Sequence, residues 1–97
     1  MEVILLDELI RFRDEINKID NELTLLFEKR MNISKRVAEY KKNNNIPIYD
    51  PVREDKIIRE NIEKLNDNGL SQELELFYRN IFKISRIVQE KEMKREK

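Results

Sequence analysis

The chain has 97 residues, of which 41% are charged, and its 20 basic and 20 acidic side chains cancel to a formal net charge of zero. This balance excludes a broad basic surface for nucleic acid or anionic membranes, so any anion site must be local. The absence of Cys and His excludes disulfides, thiolate metal sites, thiol nucleophiles and histidine acid–base chemistry.

The N-terminal segment MEVILLDELI carries acids and only a short apolar run. It therefore predicts neither a secretion signal nor a membrane span. We expect a cytoplasmic protein that binds neither nucleic acid nor membrane.

The first predicted element is one long helix, from Leu5 to about Lys42. No Gly or Pro interrupts this segment, and its apolar residues recur at the spacing of a helix stripe. The stripe consists of Leu9, Phe12, Ile16, Ile19, Leu23, Leu26, Ile33 and Val37. A helix of this length is roughly 57 Å long, and one short chain cannot cover its stripe. We therefore expect a second chain to do so.

A loop and a second, short helix follow. The run KKNNN at residues 41–45 is expected to end the first helix, because Asn tolerates the left-handed conformation that closes helices. Asp50 is a good N-cap and Pro51 a good first helical residue. Glu54 then places negative charge near the positive end of the helix dipole.

The second helix is expected to end at residues 66–69, with Gly69 in the left-handed position just after the helix. Ser71 would cap a third helix of medium length, whose apolar stripe runs from Leu74 to Val88. The sequence thus predicts an all-α protein of three helices, without strands, in a single domain that spans residues 1–97.

Several polar residues lie at helix positions where the apolar stripes predict apolar residues. Arg13 and Arg30 lie near the buried face of the first helix, and Lys41 follows Arg30 at about the same azimuth, roughly 16 Å further along the axis. Two such side chains can flank a small anion, although each can equally extend to solvent or pair with an acid. On the third helix, Ser85 and Gln89 are one turn apart and face the packing side. Ser85 alone can bond its own helix, and Gln89 can fix an interface register.

These features occur together in a characteristic order. The segments are RFRDEINKID, FEKR, VAEYK, IPIYDPVRE and ISRIVQ. Taken together, they resemble the all-helical chorismate mutase family over roughly residues 5–90. The resemblance implies an intertwined homodimeric helical bundle, in which the long first helices cross between subunits. It also implies the rearrangement of chorismate to prephenate in aromatic amino-acid synthesis, a unimolecular reaction that needs no cofactor and no metal.

The resemblance assigns roles to individual residues. Lys41 and Gln89 would donate to the ether oxygen, where negative charge grows as the C–O bond breaks. Arg30 and Arg53 would hold the two carboxylates of the substrate, with a further hydrogen bond from Ser85.

The other implied contacts come from the partner chain and from the loop. Arg13 looks like the arginine lent to the partner's active site, although Arg11 also flanks Phe12, which stands where Leu is more usual. Glu54 resembles the acceptor of the ring hydroxyl, with help from the backbone around Asp50.

Two alternatives remain open at this point. An isochorismate-pyruvate lyase of the same fold would bind a related dianion. A non-catalytic helical dimer or regulatory module would instead pair its cations with protein carboxylates.

Overall fold

The structure, a computed structural model, describes residues 2–95, with side chains from residue 5 onward. Its three α-helices are α1 (Glu2–Asn43), α2 (Pro51–Ile62) and α3 (Ser71–Lys94). There is no strand within residues 2–95. The prediction of an all-α protein with a long, a short and a medium helix is confirmed.

The C-terminus of α1 is closed by asparagine, as the sequence predicts. Asn45 has a φ of 55°, in the left-handed region. The backbone N–H of Ile46 donates to the Lys41 carbonyl at 2.9 Å, and that of Asn45 donates to the Lys42 carbonyl at 3.5 Å. This pattern is a Schellman motif, which satisfies carbonyl groups that the helix end leaves unpaired. It turns the chain sharply into the loop that precedes α2.

The start of α2 also follows the prediction. The Asp50 side chain accepts a hydrogen bond from the backbone N–H of Arg53 at 3.1 Å, and Pro51 is the first helical residue. The Asp50 carbonyl accepts from the N–H of Glu54 at 3.1 Å. Because the cap and the proline fix the first turn, Arg53 and Glu54 leave the helix in defined directions.

The connection between α2 and α3 differs from the prediction in three respects. The helix α2 ends at Ile62 instead of Asn66, and the chain tightens through a bond of 3.1 Å from the N–H of Leu65 to the Ile62 carbonyl. Gly69 lies in a short 3-10 turn (Asn68–Leu70) and does not have a positive φ, so its predicted left-handed role is wrong. The N-cap of α3 is Leu70 instead of Ser71.

Side-chain hydrogen bonds explain the conformation at Gly69 and the start of α3. The Asp67 carboxylate caps the 3-10 turn by accepting from the backbone N–H of Gly69 at 2.9 Å. A Cβ at residue 69 would lie 3.0 Å from that carboxylate oxygen, so glycine serves close approach here. Ser71 is already helical, and its hydroxyl donates to the Asn68 carbonyl at 2.8 Å. Hydrogen bonds between these side chains and the backbone thus form the 3-10 turn that precedes α3.

The chain divides into two compact units, Met1–Asn32 and Ile33–Lys97. In the second unit α2 packs against α3, and its core contains the buried residues Ala38, Ile58 and Phe82. In the first unit every side chain from residue 5 to residue 29 is exposed. None of the helices within residues 2–95 is long and apolar enough to cross a membrane.

Candidate functional site

Three buried polar side chains meet in the unit Ile33–Lys97. The hydroxyl oxygens of Ser34 and Ser85 lie 2.8 Å apart, and Nε2 of Gln89 donates to Oγ of Ser85 at 3.2 Å. None of the three residues is more than 9% exposed. Buried polar groups are destabilising unless they are hydrogen-bonded, so these residues support one another. The predicted pairing of Ser85 with Gln89 on a buried face is present.

The amide of Gln89 is only half satisfied. Its Oε1 atom is buried and has no hydrogen-bond partner in the part of the chain that the structure describes. Leaving such an acceptor unpaired costs about 1–3 kcal/mol. An amide can also turn by 180° about its terminal bond, which exchanges its carbonyl and NH₂ ends. The second end of Gln89 is therefore a natural contact for a polar ligand.

Lys41 is tied to the loop that connects α1 and α2. Its Nζ atom donates to the backbone carbonyl of Ile48 at 3.0 Å, and the residue is partly buried. An ammonium group has three hydrogens, so this single bond leaves two of them for other acceptors. Lys41 thus holds a positive charge in a fixed position beside the loop.

Glu54 forms an ion pair with Arg86, in which Nη1 of the arginine donates to Oε2 of the carboxylate. The side chains are 15% exposed for Glu54 and 31% exposed for Arg86. The guanidinium of Arg86 also lies over the ring of Tyr49, 5.1 Å from its centroid, in a cation–π contact. The loop, the first turn of α2 and the middle of α3 are therefore joined through one arginine.

The remaining predicted site residues of this unit are more exposed to solvent. Asp50 and Arg53 are both exposed. The Asp50 carboxylate caps α2 by accepting a hydrogen bond from the backbone N–H of Arg53. The capping reading of Asp50 is confirmed. The cap leaves the Arg53 guanidinium on the surface of the first turn of α2.

Arg13 and Arg30 belong to the other unit, Met1–Asn32. Arg13 is exposed, and Arg30 is partly buried. Both lie on α1, as predicted. Their roles stay predictions from the sequence.

Contacts and neighbouring positions in the sequence link four of the predicted and newly found residues, which are Lys41, Glu54, Ser85 and Arg86. Lys41 holds the carbonyl of Ile48, the next residue Tyr49 lies under Arg86, and Arg86 binds Glu54 and follows Ser85 on α3. A cationic and an anionic group are thus linked through the loop and Arg86, and the neutral amide of Gln89 lies on the same helix as Arg86. Among the side chains of residues 5–95, the structure contains no group of three acidic residues that could hold a metal ion.

Sequence reasoning missed Ser34 and Arg86. Ser34 follows Arg30 by one helical turn and precedes Ala38 by another. Ser85 was selected as a polar residue on the packing side of its helix, and the same argument selects Ser34. Arg86 carries no comparable signal, because it lies beside the α3 stripe in a chain with 20 acidic residues. Only the three-dimensional packing of α2 on α3 identifies Glu54 as its partner.

Comparison with known proteins agrees with these observations. The model of the family described as chorismate mutase type II matches residues 12–90. A chorismate mutase of Methanocaldococcus jannaschii is 41% identical over 61 residues, which are 63% of this chain and 61% of the relative.

Two longer relatives are bifunctional chorismate mutase/prephenate dehydratases. That of Aquifex aeolicus is 41% identical over 61 residues, or 63% of this chain and 17% of the relative. That of Buchnera aphidicola is 40% identical over 72 residues, or 74% of this chain and 18% of the relative. The chain therefore spans less than two thirds of each of these curated relatives. No solved structure matches the chain significantly.

Proposed function

We propose, from the premise that this chain belongs to the chorismate mutase type II family, that it catalyses the rearrangement of chorismate to prephenate. The observation that carries the proposal is the half-satisfied amide of Gln89. It is buried, held by Ser85 at one end, and without a partner among the described residues at the other. A protein that only needed a packed core would be more stable with an apolar side chain there.

The chemistry of the reaction fits the groups that are present. The rearrangement breaks a C–O bond and forms a C–C bond within one molecule, so it needs neither a nucleophile nor a proton carrier. A site accelerates it by holding a compact conformer and by donating to the ether oxygen as negative charge develops. We assign this donation to Lys41, through its charge, and to Gln89, through a neutral N–H.

Glu54 is assigned to the hydroxyl of the substrate. Arg86 occupies Oε2 of this carboxylate, which leaves Oε1 to accept a hydrogen bond. The positive charge of the arginine also offsets the repulsion between this carboxylate and a dianionic ligand. Asp50 contributes by fixing the backbone of the first turn of α2.

The substrate carboxylates need cations and donors around them. We assign them to Arg53 and, on the family pattern alone, to Arg30. The hydrogen bond predicted from Ser85 to the substrate is left out of this proposal, because the Ser85 hydroxyl has a single hydrogen and already bonds Ser34 and Gln89. Arg53 is supported by its position on the capped first turn, from which its side chain is exposed to solvent.

The proposal includes a homodimer with intertwined first helices and with Arg13 lent to the partner's site. Its support is the uncovered apolar stripe of the unit Met1–Asn32. The exposed residues include Leu5, Leu9, Phe12, Ile16, Ile19, Leu23 and Leu26. A stripe of this size on one helix face is typical of a surface that binds another protein chain. One domain over residues 1–97 and a cytoplasmic location stay predictions from the sequence.

The test is the loss of ultraviolet absorbance of chorismate on adding the purified protein, with prephenate confirmed as phenylpyruvate after acid treatment. Gln89→Ala should remove most of the activity, whereas Gln72→Ala, which changes an exposed glutamine on α3, should keep it. A parallel reaction with isochorismate measures the release of pyruvate. Pyruvate release that outpaces chorismate turnover would replace the mutase with a lyase, and folded protein inactive on both substrates would contradict catalysis.

A further inference from the structure

Ser34 has no role in the proposed site, yet it ends a buried hydrogen-bond chain that leads directly to Gln89. Its hydroxyl lies 2.8 Å from the hydroxyl of Ser85, and either oxygen can be the donor. Ser85 in turn accepts from Nε2 of Gln89 at 3.2 Å. Ser34 comes from α1, whereas the other two residues lie on α3. This series of hydrogen bonds thus links the Gln89 side chain of α3 to α1.

The direction of each hydrogen bond in this chain depends on the next one. A hydroxyl group has one hydrogen to donate and two lone pairs that accept. When Nε2 of Gln89 donates to Ser85, the hydrogen of Ser85 is available to Ser34. When the amide turns by 180°, Ser85 must donate to Oε1 of Gln89, and its oxygen then accepts from the hydroxyl of Ser34. The bond between the two serines can therefore reverse.

The two directions correspond to two states of the site. In the first, the buried Oε1 of Gln89 has no partner in the described chain. In the second, Oε1 is satisfied by Ser85, and both N–H groups of Gln89 face away from it. The end of the amide without a partner is therefore the carbonyl oxygen in the first state and the NH₂ group in the second. An ether oxygen is only an acceptor, so at this end it can bind only in the second state.

We propose that Ser34 is a positioning residue that orients the Gln89 amide for donation to the ligand, acting through the hydroxyl of Ser85. This inference rests on the proposed function, since it concerns the same site. A hydroxyl that accepts a hydrogen bond becomes a better donor, so Ser34 strengthens the bond from Ser85 to Oε1 of Gln89. It thereby stabilises the state in which the N–H groups are free for the ligand.

Replacing Ser34 by alanine should affect the two states unequally. In the first state the hydrogen of Ser85 can instead bond the backbone carbonyl four residues earlier, at Ile81. In the second state that hydrogen is used on Gln89, and the Ser85 oxygen has lost its donor. Only the state that binds the ligand is therefore weakened.

The first experiment is a double-mutant cycle on chorismate turnover. Ser34→Ala should lower kcat/KM about five- to tenfold, the loss typical of one hydrogen bond, and Ser34→Cys, a weaker donor of similar shape, should lower it less. In a Gln89→Ala background, Ser34→Ala should have no further effect. Equal losses in both backgrounds would mean that Ser34 only supports the fold, which would overturn the proposal. Thermal melting of each variant identifies any that fails to fold.

The second experiment does not depend on turnover. The carboxyl group introduced by Gln89→Glu is titrated by NMR, with and without Ser34→Ala. Donation relayed from Ser34 favours the ionised form, so the pKa of that carboxyl should rise when Ser34 is removed. The charges of Lys41, Glu54 and Arg86 are the same in both proteins, so they cancel in the comparison. A raised pKa supports the relay even if the wild type is inactive on chorismate, and an unchanged pKa overturns it even if the wild type is active.

Discussion

The Glu54 carboxylate and the Arg86 guanidinium form a partly buried ion pair that joins α2 to α3. A second pair links the same two helices, between Asp55 and Arg79 at 3.1 Å, but its side chains are 59% and 48% exposed. The two pairs are neighbours in sequence on α2 and differ mainly in burial. They provide an internal comparison of a site contact with a surface contact.

Removing Arg86 should damage both stability and substrate binding. Arg86→Ala leaves the Glu54 carboxylate partly buried without its partner, which should lower the free energy of unfolding by about 1–2 kcal/mol. It also releases the side chain that orients Glu54, so KM for chorismate should rise. Urea denaturation and steady-state kinetics measure the two effects.

Arg79→Ala is the matched control, because it breaks the exposed pair on the same helix. Exposed ion pairs contribute only about 0.2–1 kcal/mol, so this variant should be close to wild type in stability and unchanged in KM. Equal effects of the two substitutions would show that the Glu54–Arg86 pair is only another surface contact.

The N-cap at Asp50 gives a second prediction. Asp50→Ala removes the acceptor of the Arg53 backbone N–H and should lower the free energy of unfolding by about 1 kcal/mol. Asp50→Asn keeps an acceptor at the cap and should restore most of that loss. If the first turn of α2 positions Arg53 and Glu54, kcat/KM should be highest for the wild type, lower for Asp50→Asn and lowest for Asp50→Ala. Normal kinetics in a destabilised Asp50→Ala variant would show that the cap stabilises the fold but does not position Arg53 and Glu54 for the substrate.

Local signals in the sequence predicted much of this fold. The Schellman end of α1 at Asn45 and the capped start of α2 at Asp50 each depend on a few neighbouring residues with strong backbone preferences. The turn before α3 differs from the prediction because the Asp67 carboxylate accepts from the backbone N–H of Gly69 and the Ser71 hydroxyl donates to the Asn68 carbonyl. Which backbone group such a side chain bonds depends on geometry that spacing alone does not fix.

The candidate site also contains some residues that the sequence could predict and others that it could not. Ser85 and Gln89 could be predicted because a polar residue on an apolar helix face is a strong local anomaly. The Glu54–Arg86 pair could not, because each charge has many opposite charges to choose from and the choice is made by helix packing. The bond from Lys41 to the Ile48 carbonyl also depends on the path of the loop.

Lys41 gives a third prediction. Loss of a preorganised donor to a developing negative charge typically costs about 3–4 kcal/mol of barrier lowering. Lys41→Ala should therefore reduce kcat by about a hundredfold to a thousandfold. Lys42→Ala, which changes an exposed neighbour on α1, should leave kcat unchanged. Similar kcat values for the two variants would remove Lys41 from the reaction.

The neutral donor at Gln89 predicts how the rate depends on pH. The wild-type amide does not titrate, so turnover should be nearly flat through the neutral range. Gln89→Glu donates to the ether oxygen only while its carboxyl is protonated. Its activity should therefore be highest at acidic pH and fall as the pH rises through the pKa of that carboxyl. Gln72→Glu should keep the flat profile, and an equally flat profile for Gln89→Glu would exclude this role.

The exposed stripe of α1 predicts that the stability of the protein depends on its concentration. If a second copy covers Leu9, Ile16 and Leu23, folding and association are linked, and the melting temperature should rise with protein concentration. Ile16→Asp places a charge in the middle of the stripe and should shift the protein toward monomers in light scattering, with a lower melting temperature. Asn17→Asp adds the same charge at the adjacent exposed position and should leave the dimer intact. A wild-type protein that scatters as a monomer, with a melting temperature independent of concentration, would rule out the intertwined dimer and with it the role of Arg13 in a partner's site.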